Sequence, residues 1–282
     1  MIHDHQNNFN VDLMCELLDV SRAGYYDWIE RPPSPAAIER DKIIDAIRQA
    51  HVESHCRYGS PNIHRELLEK GICCCLNTVA RRMKQQGIAG VVGRKFRVTT
   101  TDSNHDQPVF ENHLDREFAA NAPNQKWAAD ITYIHTDEGL VYLAGVVDLF
   151  SRKIIGWSMK DTLHTDLCVE ALEMALASRR PTHPPLHHSD RGCQYASGQY
   201  QHKLGEFGLQ CSMSGVGNCW DNAVVESVWA SLKNELVYQR RFATRQQARD
   251  AVFEWIEVWY NRKRRHSSLG YISPEAFEAK QN

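Results

Sequence analysis

Two acidic residues in the second half of the sequence have the setting of a catalytic site. Asp190 follows a short apolar-then-polar run, residues 185–189, which has the pattern of a buried strand. Glu226 lies in a strongly helical run, and thirty-five residues separate it from Asp190. Carboxylates placed at the end of a strand and on a neighbouring helix can act together on one substrate or one metal ion.

The helix that carries Glu226 has readable boundaries and two distinct faces. Asn218 is expected to cap its N-terminus, with Asp221 at the third position, where a carboxylate suits the positive end of a helix. The buried stripe is formed by Val225, Val228, Leu232 and Leu236. A different face carries Asn222, Glu226, Ala230 and Lys233. The pattern therefore places a carboxylate and a lysine on the open side of a packed helix.

Asp130 is the strongest candidate for a third acid. Residues 127–134 alternate with the period of a strand, and both faces are largely apolar, so the strand is expected to be central. An aspartate in such a strand is costly to ionise unless a positive charge compensates it. A divalent cation supplies that charge, and oxygen ligands suit Mg²⁺ or Mn²⁺. The sequence predicts Asp130, Asp190 and Glu226 as metal ligands.

Five motifs surround these acids and occur in a fixed order along the chain. They are W-A-A-D-I-T-Y-I, H-S-D-R-G-C-Q-Y, D-N-A-V-V-E-S, L-K-N-E and Y-N-R-K-R-R-H-S-S-L-G-Y-I-S-P. Together they resemble the second-frame (OrfB) product of two-frame bacterial insertion sequences, within the DDE transposase and retroviral integrase superfamily. The likeness covers nearly the whole chain.

The resemblance implies a metal-dependent DNA transposase that cleaves element ends and joins 3′-hydroxyls to target DNA. Asp130, Asp190 and Glu226 would be the catalytic acids of an RNase H-like core, holding two Mg²⁺ or Mn²⁺ ions about 3.5–4 Å apart. Lys233 matches the family's basic residue and would contact a DNA phosphate. The residues expected near the site are Asn222 and Trp127, as structural supports, and His188, as either site lining or a packed histidine.

Composition sets the cellular context that we expect. The 282 residues carry a net charge of −2, so no global basic field indicates nucleic acid. From Arg57 to Arg97, however, the sequence contains nine Lys and Arg residues and only two acidic residues, which makes this region locally basic. Nine cysteines, no signal peptide and no apolar run long enough to span a membrane favour a soluble cytoplasmic protein, associated with the nucleoid when bound to DNA.

The first hundred residues predict a small all-α region. A short helix, a turn at Gly24 and an aromatic segment are followed by a helix over residues 37–51, with Ile38, Ile43, Ile44 and Ile47 inward. Ser60 is expected to cap the next helix, and Asn77 caps a third that Gly87 ends. The last two form a helix-turn-helix pattern, with DNA-binding candidates Arg81, Arg82 and Lys84 on its second helix. A small helical bundle with a solvated charged face is the alternative.

The run Cys73-Cys74-Cys75 follows His51 and His55 and raises the question of zinc. Retroviral integrases carry a His-His-Cys-Cys zinc module, but three adjacent cysteines lack the spacing that gives two thiolates a tetrahedral bite. We expect small buried residues in the helix-turn-helix turn instead.

The order of elements predicts the fold class. Hairpin-like strands followed by a strand-helix alternation are typical of an RNase H-like mixed α/β sheet, here preceded by the all-α helix-turn-helix domain. The predicted segments are a helical lead-in (1–30), a helix-turn-helix region (31–101), a linker (102–124), the integrase catalytic core (125–237), and a C-terminal helix with a basic tail (238–282). Thr244 is expected to cap one long helix that reaches Asn261.

The basic tail and the wider family suggest the partners. Beside a DNA-processing core, phosphate tracking is the favoured role for the cluster that contains Arg262, Arg264 and Arg265. Double-stranded DNA is the expected partner, with a homo-oligomer in a synaptic complex. The family's complete enzyme is usually a fusion with an upstream-frame (OrfA) product. The alternatives are a nuclease that cuts without joining, and a non-catalytic DNA-binding regulator, or a chain active only in that fusion.

Overall fold

The computed structural model describes residues 1–93, 107–215 and 219–281. They form two compact units, Met1–Ala89 and Gly90–Asn282. Residues 102–106 of the predicted linker and the predicted cap Asn218 lie outside the described residues. Within the described ranges, no helix has the length and apolar character needed to cross a membrane.

The first unit is entirely helical, as predicted. Its helices are α1 (Ile2–His5), α2 (Val11–Leu17), α3 (Arg22–Glu30), α4 (Pro35–Glu53), α5 (Ser60–Glu69) and α6 (Leu76–Gln85). In α5 and α6 the residues at helical spacing, Ile63, Leu67, Val79 and Met83, are buried. Gly71 and Gly87 follow these two helices with φ of +76° and +66°, a conformation that glycine adopts without steric cost.

Several local predictions for this unit are wrong. Gly24 lies inside α3, where its amide donates to the N-cap Ser21, and does not form a turn. Gly59, not Ser60, is the N-cap of α5, and α6 begins before Asn77, with Cys75 as its N-cap. Ile38 is exposed because it lies in the first turn of α4, ahead of the segment that packs.

The triple cysteine also differs from the prediction. Cys73 and Cys75 are exposed and only Cys74 is half-buried, so these residues do not fill a core position. The Cys75 thiol is hydrogen-bonded to the Thr78 hydroxyl at 3.2 Å, which lowers the pKa of the thiol. This contact belongs to the start of α6.

The second unit is built on a mixed five-stranded sheet, which confirms the RNase H-like α/β prediction. Its strands are β1 (Lys126–Thr136), β2 (Gly139–Asp148), β3 (Ile154–Lys160), β4 (Leu186–Ser189) and β5 (Gln210–Met213). Their order is β3-β2-β1-β4-β5. The first three strands form an antiparallel meander, and β4 and β5 run parallel to β1 and to each other.

Helices cover both faces of the sheet. On one face, α7 (Thr165–Arg179), α8 (Cys193–Ala196) and α9 (Gly198–Glu206) enclose a core with Trp127, Ala129, Ala144 and Val146. A Cβ at Gly156 would lie 2.2 Å from the carbonyl oxygen of Ala171, so only glycine allows α7 to approach β3 this closely. The opposite face packs against α10 (Ala223–Glu235) and α11 (Arg245–Phe253).

The C-terminal helix is shorter than predicted. Thr244 caps α11, as expected, through a hydrogen bond from the amide of Gln247. After Phe253 the chain continues as a π-helix, Glu254–Tyr260, in place of further α-helix. This wider turn places the indole N–H groups of Trp255 and Trp259 at 3.3 and 2.9 Å from the same carboxylate oxygen of Glu235. The last helix is α12 (Pro274–Ala279).

A largely buried ion cluster connects α12 to α7 and to the turn between β2 and β3. Glu278 accepts hydrogen bonds from Arg179 on α7 and from the Ser151 hydroxyl, the latter at 2.6 Å. The side chains of Arg179 and Glu278 are only 14% and 11% exposed. Burial alone would raise the pKa of Glu278, but the hydrogen bonds from Arg179 and Ser151 hold it below its ordinary value.

We expect Glu278→Gln to lower the free energy of unfolding by about 3 kcal/mol at neutral pH, because Arg179 would lose most of its charge compensation in a buried setting. A carboxylate with a lowered folded-state pKa stabilises the protein above its unfolded value, near 4.5, and this contribution is lost as the pH falls through the folded-state value. Urea unfolding at several pH values measures both effects.

Glu275→Gln is the matched control, since Glu275 lies on the same helix but is 51% exposed and pairs with Arg262 at 3.7 Å. Its effect should stay below about 1 kcal/mol. Equal losses in the two variants would contradict a specific role for the buried cluster.

Candidate active site

Asp130 on β1 and Asp190, the first residue after β4, lie at the same level of two neighbouring parallel chain segments. In the register of β1 with β4, Ala128 is paired with His188, and each aspartate follows two residues later. Both carboxylates line a cavity of about 230 Å³, together with Thr132, Tyr133, Leu163, Gly192 and Gln194. The parallel pairing thus brings together two acids that are sixty residues apart in the sequence.

The turn after β4 fixes the carboxylate of Asp190. Its Oδ1 accepts a hydrogen bond from the backbone N–H of Gly192 at 3.0 Å. A Cβ at Gly192 would come within 3.1 Å of that same oxygen, so glycine leaves this carboxylate room.

Glu226 is brought to the aspartates by the attachment of α10 to β1. Asn222, the N-cap residue of α10, donates its side-chain N–H to the carbonyl oxygen of Ala129 at 3.1 Å. Since Ala129 immediately precedes Asp130, this bond sets the start of the helix beside the first acid. Glu226 lies in the first turn of α10.

The three acids influence one another's ionisation. Burial raises the pKa of Asp130 well above its ordinary value, and the charges of Asp190 and Glu226 add to the rise. Burial and the charge of Asp190 also raise the pKa of Glu226. The site therefore lacks positive charge, and a hard divalent cation with oxygen ligands fits this deficit.

The acids do not yet form a coordination sphere. Across residues 1–93, 107–215 and 219–281, no group of three His, Cys, Asp or Glu side chains is arranged to hold a metal ion. The chemistry of the donors, three carboxylates, fits Mg²⁺ or Mn²⁺.

Two of the predicted supporting residues lie below the site and not in its cavity wall. Trp127 is fully buried in the core under β1. His188 is buried, with Nδ1 hydrogen-bonded to Ser212 at 2.9 Å and Nε2 to Ser214 at 3.1 Å. Burial lowers the pKa of His188 to about 4, so its ring is neutral at neutral pH. Of the two readings of His188, the structure shows a packed histidine.

Lys233 lies on α10 two helical turns after Glu226. Its Nζ donates to the carbonyl oxygen of Tyr133 and lies 4.5 Å from the centre of the Tyr133 ring. Burial lowers the pKa of Lys233 to about 8. The lysine is therefore held against β1, the strand that carries Asp130.

Asp221 has a role that differs from the predicted one. It is not at the third position of α10, because residues Cys219–Asn222 form a 3₁₀ turn ahead of the helix. Its carboxylate accepts hydrogen bonds from the Gly215 amide at 2.8 Å, and from Asn112 and Arg116 at 3.0 Å each. Burial alone would raise the pKa of Asp221, but the Gly215 amide and Arg116 outweigh it and lower the pKa.

Sequence reasoning missed Asn112 and Arg116, since both stand in a segment with no regular pattern. This segment also pairs with β5, because the amides of His113 and Leu114 donate to the Ser212 hydroxyl at 2.9 and 3.2 Å. Asp221 thereby connects this segment to the start of α10. Positive φ values of 43° and 60° at Asp115 and Arg116 mark its tight bend.

The candidate DNA-binding cations lie on α6 and in the C-terminal tail, and they differ in how far they are exposed. Arg81 and Lys84 are exposed on α6, and Arg82 is half-buried and donates to Gln85. In the C-terminal tail, Arg262 is 63% exposed. By contrast, Arg264 is bound to Glu235 at 2.7 Å, and buried Arg265 donates to the carbonyl oxygen of Tyr271. Two of the three tail arginines predicted to follow DNA phosphates thus also make contacts within the protein.

Family models match both units. An integrase core domain matches residues 120–219, a second integrase core domain model matches residues 207–274, and an HTH-like domain matches residues 39–96. The structurally similar proteins include the HTLV-2 integrase catalytic core domain in complex with magnesium. That comparison has a TM-score of 0.44 at 17% identity, over 57% of this chain and 99% of that chain.

Close sequence relatives span the whole chain. It is 43% identical to the transposase InsF for insertion sequence IS3A of Escherichia coli K12, over 99% of this chain and 97% of the relative. It is also 43% identical to the insertion element IS600 uncharacterized 31 kDa protein of Shigella sonnei, over 95% of this chain and 98% of the relative. The chain belongs to the family of insertion-sequence transposases that includes the InsF proteins and carries an integrase core domain.

Proposed function

We propose that Asp130, Asp190 and Glu226 are the catalytic acids of this transposase, acting in DNA cleavage at the element ends and in strand transfer. The placement of Asp130 and Asp190 at the same level of adjacent parallel chain segments supports the proposal most strongly. Attachment of α10 to Ala129 adds Glu226. Three neighbouring carboxylates disfavour one another's ionisation and thereby destabilise the folded protein. A purely structural role does not account for such a group.

We propose that the enzyme depends on a divalent metal and that the three carboxylates hold two Mg²⁺ or Mn²⁺ ions. Such ions would activate the attacking oxygen and stabilise the leaving one. The chain's own part is to fix the carboxylates: Gly192 orients Asp190, and Asn222 sets the helix of Glu226 against β1. Water as the nucleophile gives cleavage, and a DNA 3′-hydroxyl gives joining.

Lys233 is proposed to contact a phosphate of the reacting DNA. It lies on the same helix as Glu226 and is anchored to β1, so its charge has a defined position beside the acids. Of the three predicted tail arginines, Arg262 is the exposed one and is therefore the best placed to meet DNA from solution.

We propose that the helix-turn-helix pair α5 and α6 binds double-stranded DNA through Arg81, Arg82 and Lys84. The match to an HTH-like domain over residues 39–96 supports this assignment. Element ends and target DNA must be held at once, so we also propose a homo-oligomeric synaptic complex. An upstream-frame partner is a further proposed component, and bound DNA would place the protein at the nucleoid.

Replacing Asp130, Asp190 or Glu226 singly by its amide should abolish both cleavage and joining, because each change removes a charged oxygen ligand while keeping the side-chain shape. The assay uses the gene's own flanking DNA with Mn²⁺ and separates cut from joined products. Chelation of the metal should have the same effect on the wild type.

Asp137→Asn is the matched control, since Asp137 also lies next to β1 but pairs with Arg241 on the surface at 2.8 Å. It should retain activity, and all variants should keep wild-type circular dichroism. Full activity in any one of the three amide variants would remove that acid from the catalytic set. Cut products without joined ones from the wild type would favour a nuclease.

The double variant Arg81→Ala/Lys84→Ala should weaken DNA binding and reduce the salt dependence of log K by about 2, one unit for each lost phosphate contact. Fluorescence anisotropy with a labelled duplex at several salt concentrations measures this slope.

Arg40→Ala/Lys42→Ala serves as the control pair. These cations are exposed on α4 of the same unit, but acids neutralise them at 3.0 and 3.9 Å. An unchanged slope in the Arg81/Lys84 variant, or an equal change in both variants, would exclude α6 as the DNA-binding face.

A further inference from the structure

The indole of Trp229 occupies a space beside Asp130 that a missing side chain leaves open. Asp130 on β1 is paired with Gly145 on β2. A Cβ at Gly145 would lie 2.5 Å from Cη2 and 2.8 Å from Cζ2 of Trp229. Any other residue at 145 would therefore collide with the ring, and Gly145 is what lets α10 place this indole against the sheet.

Register brings this indole close to the first catalytic acid. Directly opposed positions of antiparallel strands place their Cβ atoms about 5 Å apart. The ring edge that fills the Cβ position of Gly145 is therefore next to the side chain of Asp130. Nε1 is bonded to the ring carbon adjacent to Cζ2, so the N–H belongs to the edge of the ring that meets β2.

The indole N–H of Trp229 donates no hydrogen bond to a residue other than Asp130 in the described part of the chain. The residue is only 5% exposed, and its Nε1 is buried and makes no hydrogen bond of ordinary geometry. A buried donor without an acceptor is destabilising, and the neighbouring carboxylate of Asp130 offers an acceptor. Burial and the charge of Asp190 raise the pKa of Asp130, and the N–H of Trp229 opposes that rise.

We infer that Trp229 is a positioning residue whose indole N–H holds the carboxylate of Asp130 in the orientation that receives the metal ion. The inference rests on the proposed assignment of Asp130 as a ligand. Trp229 follows Glu226 by three residues on α10, so one helix supplies both a ligand and the donor that orients another. Donors that orient ligating carboxylates typically change metal affinity by 10–100-fold when removed.

The test measures Mn²⁺ binding to the full chain without DNA. The electron paramagnetic resonance signal of free Mn²⁺ reports how much of the ion is bound. Trp229→Phe keeps an aromatic ring and removes only the N–H and part of the indole. We expect its Mn²⁺ affinity to fall about tenfold or more. Trp259→Phe is the matched control, because Trp259 is also buried but donates to Glu235, away from the proposed ligands. Its affinity should stay at the wild-type value.

Asp130→Asn separates this inference from the assignment on which it rests. Loss of Mn²⁺ binding in Asp130→Asn, with wild-type affinity in Trp229→Phe, would leave the acids in place and overturn the role of Trp229. Wild-type Mn²⁺ affinity in Asp130→Asn would overturn both.

A second measurement does not require Trp229→Phe to fold. The seven tryptophans give seven indole N–H signals in a ¹⁵N-labelled chain. One signal should move upfield in Asp130→Asn, because an amide accepts a weaker hydrogen bond than a carboxylate. Seven unmoved signals would overturn the inference.

Discussion

The close approach of α10 to strands β1 and β2 is the constraint on which the site depends. It is made possible by the absence of a side chain at Gly145 and is fixed by the bond from Asn222 to the carbonyl oxygen of Ala129. A shift of α10 by one residue would rotate Glu226 about 100° around the helix axis, away from the aspartates. The carboxylates repel one another, so the site cannot hold itself together, and apolar burial of α10 supplies the opposing free energy.

The 3₁₀ turn before α10 is connected to earlier parts of the chain through the side chain of Asp221. Asp221 provides this connection through three hydrogen bonds that reach back to Gly215, Asn112 and Arg116. The neutral ring of His188 bridges Ser212 and Ser214 below this loop. A network of this kind is stable only when every member is satisfied, which makes the loop sensitive to changes remote from the acids.

The sequence predicted correctly those elements that depend only on local periodicity or on a local hydrogen bond. The strand of Asp130, the stripe of the Glu226 helix and the cap at Thr244 each follow from local periodicity or a local hydrogen bond. Predictions were wrong where contacts with other residues determine the local structure. A glycine such as Gly24 is typical of a turn, yet it lies inside a helix that Ser21 caps. The sequence also did not show that Arg264 binds Glu235 or that Arg265 donates to the Tyr271 carbonyl oxygen.

The sequence by itself determined the family and the α/β class, because motif order and side-chain alternation are encoded locally, and it predicted the three acids that we propose as catalytic. Only the tertiary structure decided which side chains meet. The register of β1 with β4 places Asp130 level with Asp190, and the register of β1 with β2 sets Gly145 opposite Asp130. Neither pairing is visible in one chain read in order, since register depends on how the strands bury their apolar faces together. The same holds for the ion cluster at Glu278, which lies 99 residues after Arg179 and 127 residues after Ser151.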